Sequence, residues 1–296
     1  MRALGWARRY SLPEGGVIIS TADLRPYPEV TGYWIPTLLE ADEEGLARKS
    51  AGFLAGVMSA DGGIPGPDGK GYFFDTAQVL RGLLAMSARA REFRPAACAA
   101  AEYMRRRIAD DGSIADDYTD YKGEIPRAIV LFGLRPLREA AVSFDEPRYA
   151  EAAEKAAAHY TREFMDLDKD VLTHFLAYMI EGLWENGREK EALLALEEVF
   201  RRQSLNGSIR GRAHSWWVCS VGVAQFAVLA YKAGMTDRGD RALAYLCRRQ
   251  NRSGGFFGSY GWGAKYFPKA EISWANKFFL DAVLLRYGAG ILAGGR

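Results

Sequence analysis

Residues 214–259, HSWWVCSVGVAQFAVLAYKAGMTDRGDRALAYLCRRQNRSGGFFGS, contain one complete unit of a repeat. A polar, aromatic loop opens it. The apolar, proline-free stretch that follows predicts a helix over 218–231. The turn Gly234-Met235-Thr236-Asp237 leads into an amphipathic pattern over 237–250, with charges gathered on one side. Ser253-Gly254-Gly255-Phe256 closes the unit.

The closing signature recurs with constant internal spacing, as Met58-xxx-Gly62-Gly63-Ile64, Ile108-xxx-Gly112-Ser113-Ile114, Gln203-xxx-Gly207-Ser208-Ile209 and Gln250-xxx-Gly254-Gly255-Phe256. Glycines 62, 112, 207 and 254 stand 50, 95 and 47 residues apart, so one further copy has decayed, around 160–170. A period of about 48 residues is the size of two helices plus their loops, a unit that buries its apolar face only by stacking on its neighbours. Read physically, an outer helix ends, glycine takes the left-handed C′ position, and an apolar residue folds back on the last turn.

Extended outward, the pattern has six apolar helices starting near residues 31, 75, 127, 171, 217 and 273. Amphipathic ones are expected over 46–59, 95–108, 147–164, 189–203 and 237–250. The third apolar helix reads as short, 127–133, followed by a connector over 134–145. Residues 1–26 read as irregular apart from the β-prone Val17-Ile18-Ile19-Ser20. Asp75 is a candidate N-cap. Stacked hairpins make an open solenoid or a closed ring, and the loops favour closure. Those before the apolar helices are long and rich in Tyr, Trp, Asp and Gly, while the opposite turns, such as Glu43-Glu44-Gly45 and Asn186-Gly187, are short. The expected fold is therefore all-α, an incomplete (α/α)6 toroid of helical hairpins in one domain over 1–296, with one working end.

At 296 residues and 49% hydrophobic, the chain can bury a large core. A net charge of +2, with Arg105-Arg106-Arg107 as the longest basic run, argues against nucleic acid. Cys98, Cys219 and Cys247 lack metal-ligand spacing and read as reduced thiols. There is no signal-peptide core and no run of 18 apolar residues, so a cytoplasmic protein without a membrane span is expected. No cofactor or metal is expected either. Asp116, Asp117 and Asp120 offer carboxylates, but a solvated polar loop is the simpler reading.

The working end would gather Tyr27, Glu29 and Tyr33; Tyr72 and Asp75; Tyr121 and Arg127; His174 and Tyr178; Arg210, His214 and Trp217; Tyr266 and Trp274. Aromatic platforms beside carboxylates and cations suit a sugar, whose apolar faces stack on rings and whose hydroxyls take polar contacts. Each has a plainer reading. Asp75 can cap its helix, His174 can be a hydrogen-bonded core histidine, and Trp216 and Trp217 can plug the mouth. Gln225 and Cys219 share the inner side of their helix, where a cysteine is more often packing than nucleophile.

The glycine signature resembles the QW-type repeat of terpenoid cyclase and prenyltransferase toroids. Their Asp-x-Asp-Asp motif is not matched by Asp116-Asp117-Tyr118-Thr119-Asp120, and the prenyltransferase zinc set and the cysteine–histidine ligands of LanC-type cyclases are missing. A closer resemblance is to the helical toroid of D-glucuronyl C5-epimerases and related toroid proteins associated with bacterial polysaccharide biosynthesis. It is carried by Trp217-Val-Cys219-Ser220…Gln225…Leu229-Ala-Tyr231, by Tyr266-Phe-Pro268 and by Ser273-Trp274-Ala275-Asn276-Lys277-Phe278. Tyr27-Pro-Glu29-Val-Thr-Gly-Tyr33, Phe74-Asp75-Thr76-Ala-Gln78 and Thr173-His174…Ala177-Tyr178 add to it.

The resemblance implies an enzyme acting on a uronic-acid-containing sugar or oligosaccharide, by C5 epimerisation or β-elimination. Removing the C5 proton needs a neutralised carboxylate, expected from Arg127 and Arg210, and an acid–base pair, expected from Tyr266 with His174 or Glu29. Tyr33, Trp217 and Trp274 would stack on sugar, with Tyr72, Tyr121, Tyr178, His214, Gln225 and Lys277 completing the binding set. Alternatives are a glycoside hydrolase using Glu29 and Asp75 as paired carboxylates, a terpenoid-type cyclase, and a non-catalytic glycan-binding toroid.

Overall fold

The structure, a computed structural model, describes residues 1–66, 68–115 and 125–293. In chain order the main elements are α1 (Arg2–Tyr10), β1 (Ile18–Ser20), β2 (Asp23–Pro26), α2 (Pro28–Glu40), α3 (Glu44–Val57), α4 (Phe73–Ser87) and α5 (Arg94–Arg107). They continue with α6 (Leu131–Phe144), α7 (Pro147–Asp166), α8 (Thr173–Glu185), α9 (Glu189–Arg201), β3 (Val218–Cys219), α10 (Ser220–Lys232), α11 (Thr236–Arg249), β4 (Ser259–Tyr260) and α12 (Ser273–Tyr287).

Even-numbered helices form an inner ring in which each packs on the next and α12 packs back on α2. Odd-numbered helices form an outer layer. The division follows the sequence: Ser220 to Ala230 of α10 are buried throughout, whereas α11 buries only a stripe that includes Ala242, Leu243 and Leu246. Each such leucine, fully buried, contributes about 1.5–3 kcal/mol. The fold is the expected all-α (α/α)6 toroid.

The sixth outer helix comes from the segment read as irregular. Residues 2–10 form α1, which buries Ala3, Leu4, Trp6 and Ala7 and packs on α12. Next, β1 and β2 pair antiparallel, and Ser20 bridges to Ile272. The seam is fastened by Glu271, 7% exposed. Its carboxylate accepts from Trp6 Nε1 at 2.7 Å, from Asn251 Nδ2 at 2.8 Å and from the Ser253 hydroxyl.

The repeated glycine does not sit at C′. It lies several residues past each helix end, in a turn closed by two backbone bonds. Ser59 N–H donates to Gly63 O at 2.9 Å and Gly62 N–H to Ser59 O at 2.9 Å, with the same pair at Ala109–Ser113, Ser204–Ser208 and Asn251–Gly255. Leu12–Gly16 closes identically, so a copy at Gly15 escaped the sequence reading. Glycine is needed twice over. Its φ is +90° at Gly62 and +86° at Gly112, and a Cβ there would lie 2.2 Å from the carbonyl oxygens of Ala99 and Lys155 on the next outer helix. These turns are the joints of the outer ring.

The third inner helix is not short. A 3₁₀ turn, Arg127–Val130, runs straight into α6, and the expected connector is helical to Phe144. Pro136 is what suggested a break. Lacking an N–H, it leaves the Phe132 carbonyl without its helical donor, and Arg81 Nη2 from α4 supplies one at 2.8 Å. Asp75 is likewise not an N-cap: α4 starts at Phe73 after Tyr72, which places Asp75 inside the first turn, fully buried. No helix among the described residues is long and apolar enough to cross a membrane.

Candidate active site

The inner helices begin at one end of the ring, and a cavity of about 240 Å³ opens there. Its walls come from first turns and the loops before them: Tyr27 and Glu29 at the start of α2, His174 on α8, Trp274 on α12, and Tyr266 from the long loop before α12. Tyr33, Phe74 and Tyr178 reach it from one turn deeper. Its floor is aromatic. Phe132 and Tyr178 have ring centroids 4.5 Å apart, Phe74 and Tyr178 5.6 Å, Tyr178 and Phe278 5.7 Å, and Tyr33 and Phe278 5.9 Å.

Glu29, 7% exposed, is the carboxyl at the cavity surface. Asp75 lies behind the wall and accepts from Tyr27 Oη at 3.1 Å through Oδ2. Burial raises the Tyr178 hydroxyl well above its ordinary range, and the nearby Glu29 and Tyr266 add to it. The Tyr266 hydroxyl is raised in the same way, by burial first and then by Cys219 and Glu29. Trp274 Nε1 donates to Tyr266 Oη at 3.1 Å. Gln225 Oε1 lies 2.8 Å from His174 Nδ1, so the imidazole donates through Nδ1 and leaves Nε2 as an acceptor. Burial lowers His174 to about 4, against the opposing effect of the Gln225 bond, and keeps the ring neutral near pH 7.

Of the residues expected at the site, Glu29, Tyr33, His174, Tyr178, Tyr266 and Trp274 share this cavity, while Asp75 and Gln225 stand one contact behind it. Others lie elsewhere. Arg127 and His214 are exposed and outside the lining. Arg210, also exposed, covers the Trp216 ring with Cζ 5.2 Å from its centroid. Trp217 is buried against Gly211, and Trp216 is 73% exposed, so neither plugs the mouth. The Tyr72 hydroxyl donates to Asp68 Oδ2 at 2.7 Å in its own loop. Tyr121, with Asp116, Asp117 and Asp120, falls outside the described residues. Phe175, Ile129 and Phe267 complete the lining and were missed, since single apolar residues in a loop or first turn carry no signal of their own.

Lys277 faces the opposite chamber. One turn past Trp274, it lies below the aromatic floor, with Nζ 2.7 Å from Asp281 Oδ2 and 5.2 Å from the Tyr33 centroid. That rear chamber, about 730 Å³, is lined by charge. Glu185, buried, sits 3.2 Å from Arg81, 2.9 Å from Arg135 and 3.4 Å from Lys232. Burial alone would raise its carboxyl, but Arg81, Lys232 and Arg135 override that and hold it at about 2. No group of three or more His, Cys, Asp or Glu among the described residues could hold a metal ion.

Solved structures with the same arrangement include an unsaturated glucuronyl hydrolase specific for heparin, with a TM-score of 0.74 at 14% identity over 98% of this chain and 94% of that one. An unsaturated glucuronyl hydrolase from Bacillus sp. GL1, responsible for the degradation of glycosaminoglycan, gives 0.72 at 15% identity over 97% and 96%. An alpha-amylase from Clostridium perfringens gives 0.73 at 14% identity over 97% and 98%. The chain shares their fold. No family model matches the sequence, and no curated protein matches it. The solved structures thus place the α/α toroid seen here among toroids that carry glycosidases.

Proposed function

We propose that the protein is a glycosidase that cleaves the bond to a terminal uronic-acid residue. The observation that carries this reading is the convergence of Glu29, the Tyr27–Asp75 pair, neutral His174 and the rings of Tyr178, Tyr266 and Trp274 on one cavity. Its volume is about that of eight water molecules at roughly 30 Å³ each, room for one sugar ring.

Glycoside cleavage asks for a carboxyl that protonates the departing oxygen and a second that activates water or attacks the ring. Glu29 is at the surface and takes the proton-transfer role. Asp75, one hydroxyl further back, orients Tyr27 against the substrate. His174 Nε2 accepts from a sugar hydroxyl, and Trp274 offers a stacking face. Six helix N-termini surround this end, and their partial positive charge favours a substrate carboxylate. The described lining holds no Arg or Lys. Binding a uronate is then reasonable, whereas the stronger neutralisation that C5 deprotonation requires is not supplied there. This favours hydrolysis over epimerisation or elimination.

The test is release of the terminal residue from unsaturated and saturated uronyl oligosaccharides, with neutral glucosides alongside. Glu29→Gln is expected to lower kcat by about 10²–10⁴-fold with the fold intact. Unchanged turnover in that variant removes Glu29 from the role. Deuterium entering C5 in heavy water without hydrolysis would turn the reading to an epimerase.

A further inference from the structure

Among the described residues, five joints of the outer ring are closed by a left-handed glycine, and the joint between α7 and α9 is not. Its turn is still recognisable. Asp170 N–H donates to Asp168 Oδ1 at 3.0 Å, as Gly63 does to Asp61 at 3.1 Å and Ser113 to Asp111 at 2.9 Å. Lys169 therefore stands in the place of glycine, and Val171 in that of Ile64 and Ile114. Lys169 does not adopt a positive φ. Its ammonium instead bonds back to the carbonyls of Phe164 and Leu167.

The backbone here does not press on the next outer helix. At other joints glycine meets the sixth residue of that helix, Lys49, Ala99 or Arg241. The corresponding residue of α9 is Leu194, which is 57% exposed, and the adjoining Ala195 borders a cavity of about 300 Å³. The gap left by the missing glycine is a pocket.

Its floor is apolar, made by Val171, Leu176, Ala195, Val199 and Ile209. Its rim is cationic. Arg202, Arg210 and Arg212 face one carboxylate, Glu198, which pairs with Arg202 at 2.7 Å. Arg212 Nη1 donates to the neutral Asp170 carbonyl at 3.2 Å, and Arg210 lies over Trp216. Excess positive charge thus remains at the mouth. Exposed apolar side chains flank it in the chain: Leu194, Leu205 at 94% exposed, and Trp216.

We propose that this pocket binds an amphiphilic anion, with a hydrocarbon chain on the apolar floor and a phosphate or carboxylate head among the three guanidinium groups. Chain burial follows from the floor's composition. Recognition of the head follows from the planar donor fork of arginine, which matches both oxyanions. The site is separate from the sugar cavity, yet Thr173 on its wall immediately precedes His174.

Calorimetric titration of the full chain with dodecyl phosphate, dodecanoate and inorganic phosphate, below micelle formation, tests the assignment. Saturable binding of either amphiphile is expected, with inorganic phosphate much weaker. Ala195→Trp, which fills the floor, and Arg210→Glu, which reverses charge at the rim, should each weaken it by about tenfold or more. If Ala195→Trp does not fold, Arg210→Glu, at an exposed position, decides. Binding of dodecyl phosphate alone assigns the head as phosphate. No saturable binding, equal affinity for inorganic phosphate, or affinity unchanged in folded variants overturns the proposal.

Discussion

His174 has its Nδ1 proton committed to Gln225 and its ring kept neutral by burial. An unfolded histidine takes up a proton near 6.5, whereas the folded one does so only near 4. Between those values the unfolded chain binds more protons, so stability falls as pH falls. The full difference amounts to about 3 kcal/mol. Thermal melts from pH 7 to pH 4 should show a fall in Tm that is markedly smaller in His174→Gln. An equal fall in both would mean that His174 does not set the dependence. Position along the inner helices was legible at this scale, because first-turn residues next to aromatic loops point to a mouth. Depth was not. Lys277 is three residues past Trp274, about 4.5 Å further along the axis, enough to carry it beneath the aromatic floor. Arg127 and Arg210 were placed by sequence neighbourhood alone, and the path of a loop cannot be read from that.

The glycine turns and Pro136 set how elements meet. Gly112 combines a left-handed backbone with a carbonyl 2.2 Å from any Cβ, whereas Gly234 shares the left-handed φ, +72°, but has nothing within 4 Å. Gly234→Ala should cost about 1–2 kcal/mol through backbone strain alone, and Gly112→Ala about 3 kcal/mol or more, since α7 must also shift. Urea titration of the two variants checks the difference, and equal losses would show that the joint bears no load. Arg81→Met should destabilise by about 3 kcal/mol. It strips the Phe132 carbonyl of its donor and Glu185 of one of three cations. The period of the glycines was visible in the chain, but its reading as a helix cap was not correct, because nothing local says which neighbour a turn touches. The helix across Pro136 was hidden for a related reason: its substitute donor comes from 55 residues earlier in the chain.

For the molecule as a whole, apolar helices alternating with amphipathic ones, with long loops at one end, were enough to indicate a ring. Closure was hidden in residues 1–17, where a nine-residue helix and a Gly15-Gly16 turn look like an irregular leader. The Gly15 copy lies 47 residues before Gly62 and could have been found by its spacing. Glu271 joins the two ends of the ring, so Glu271→Ala should lose about 3 kcal/mol, much of it from leaving the buried Trp6 N–H without an acceptor. Trp6→Phe, which removes that donor, should recover part of the loss in the double variant. Denaturant unfolding of the single and double variants measures the coupling.

At the seam, α12 ends on the rear side and α1 starts there, so the chain is interrupted where elsewhere a rear turn such as Asn186-Gly187 or Gly234 joins an inner helix to the next outer one. The interruption is topologically equivalent to any of those turns. A gene rearranged to start after Gly234, with Tyr287 and Arg2 spliced by a few residues, should yield a protein of the same shape, because order around the circle matters and the point of entry does not.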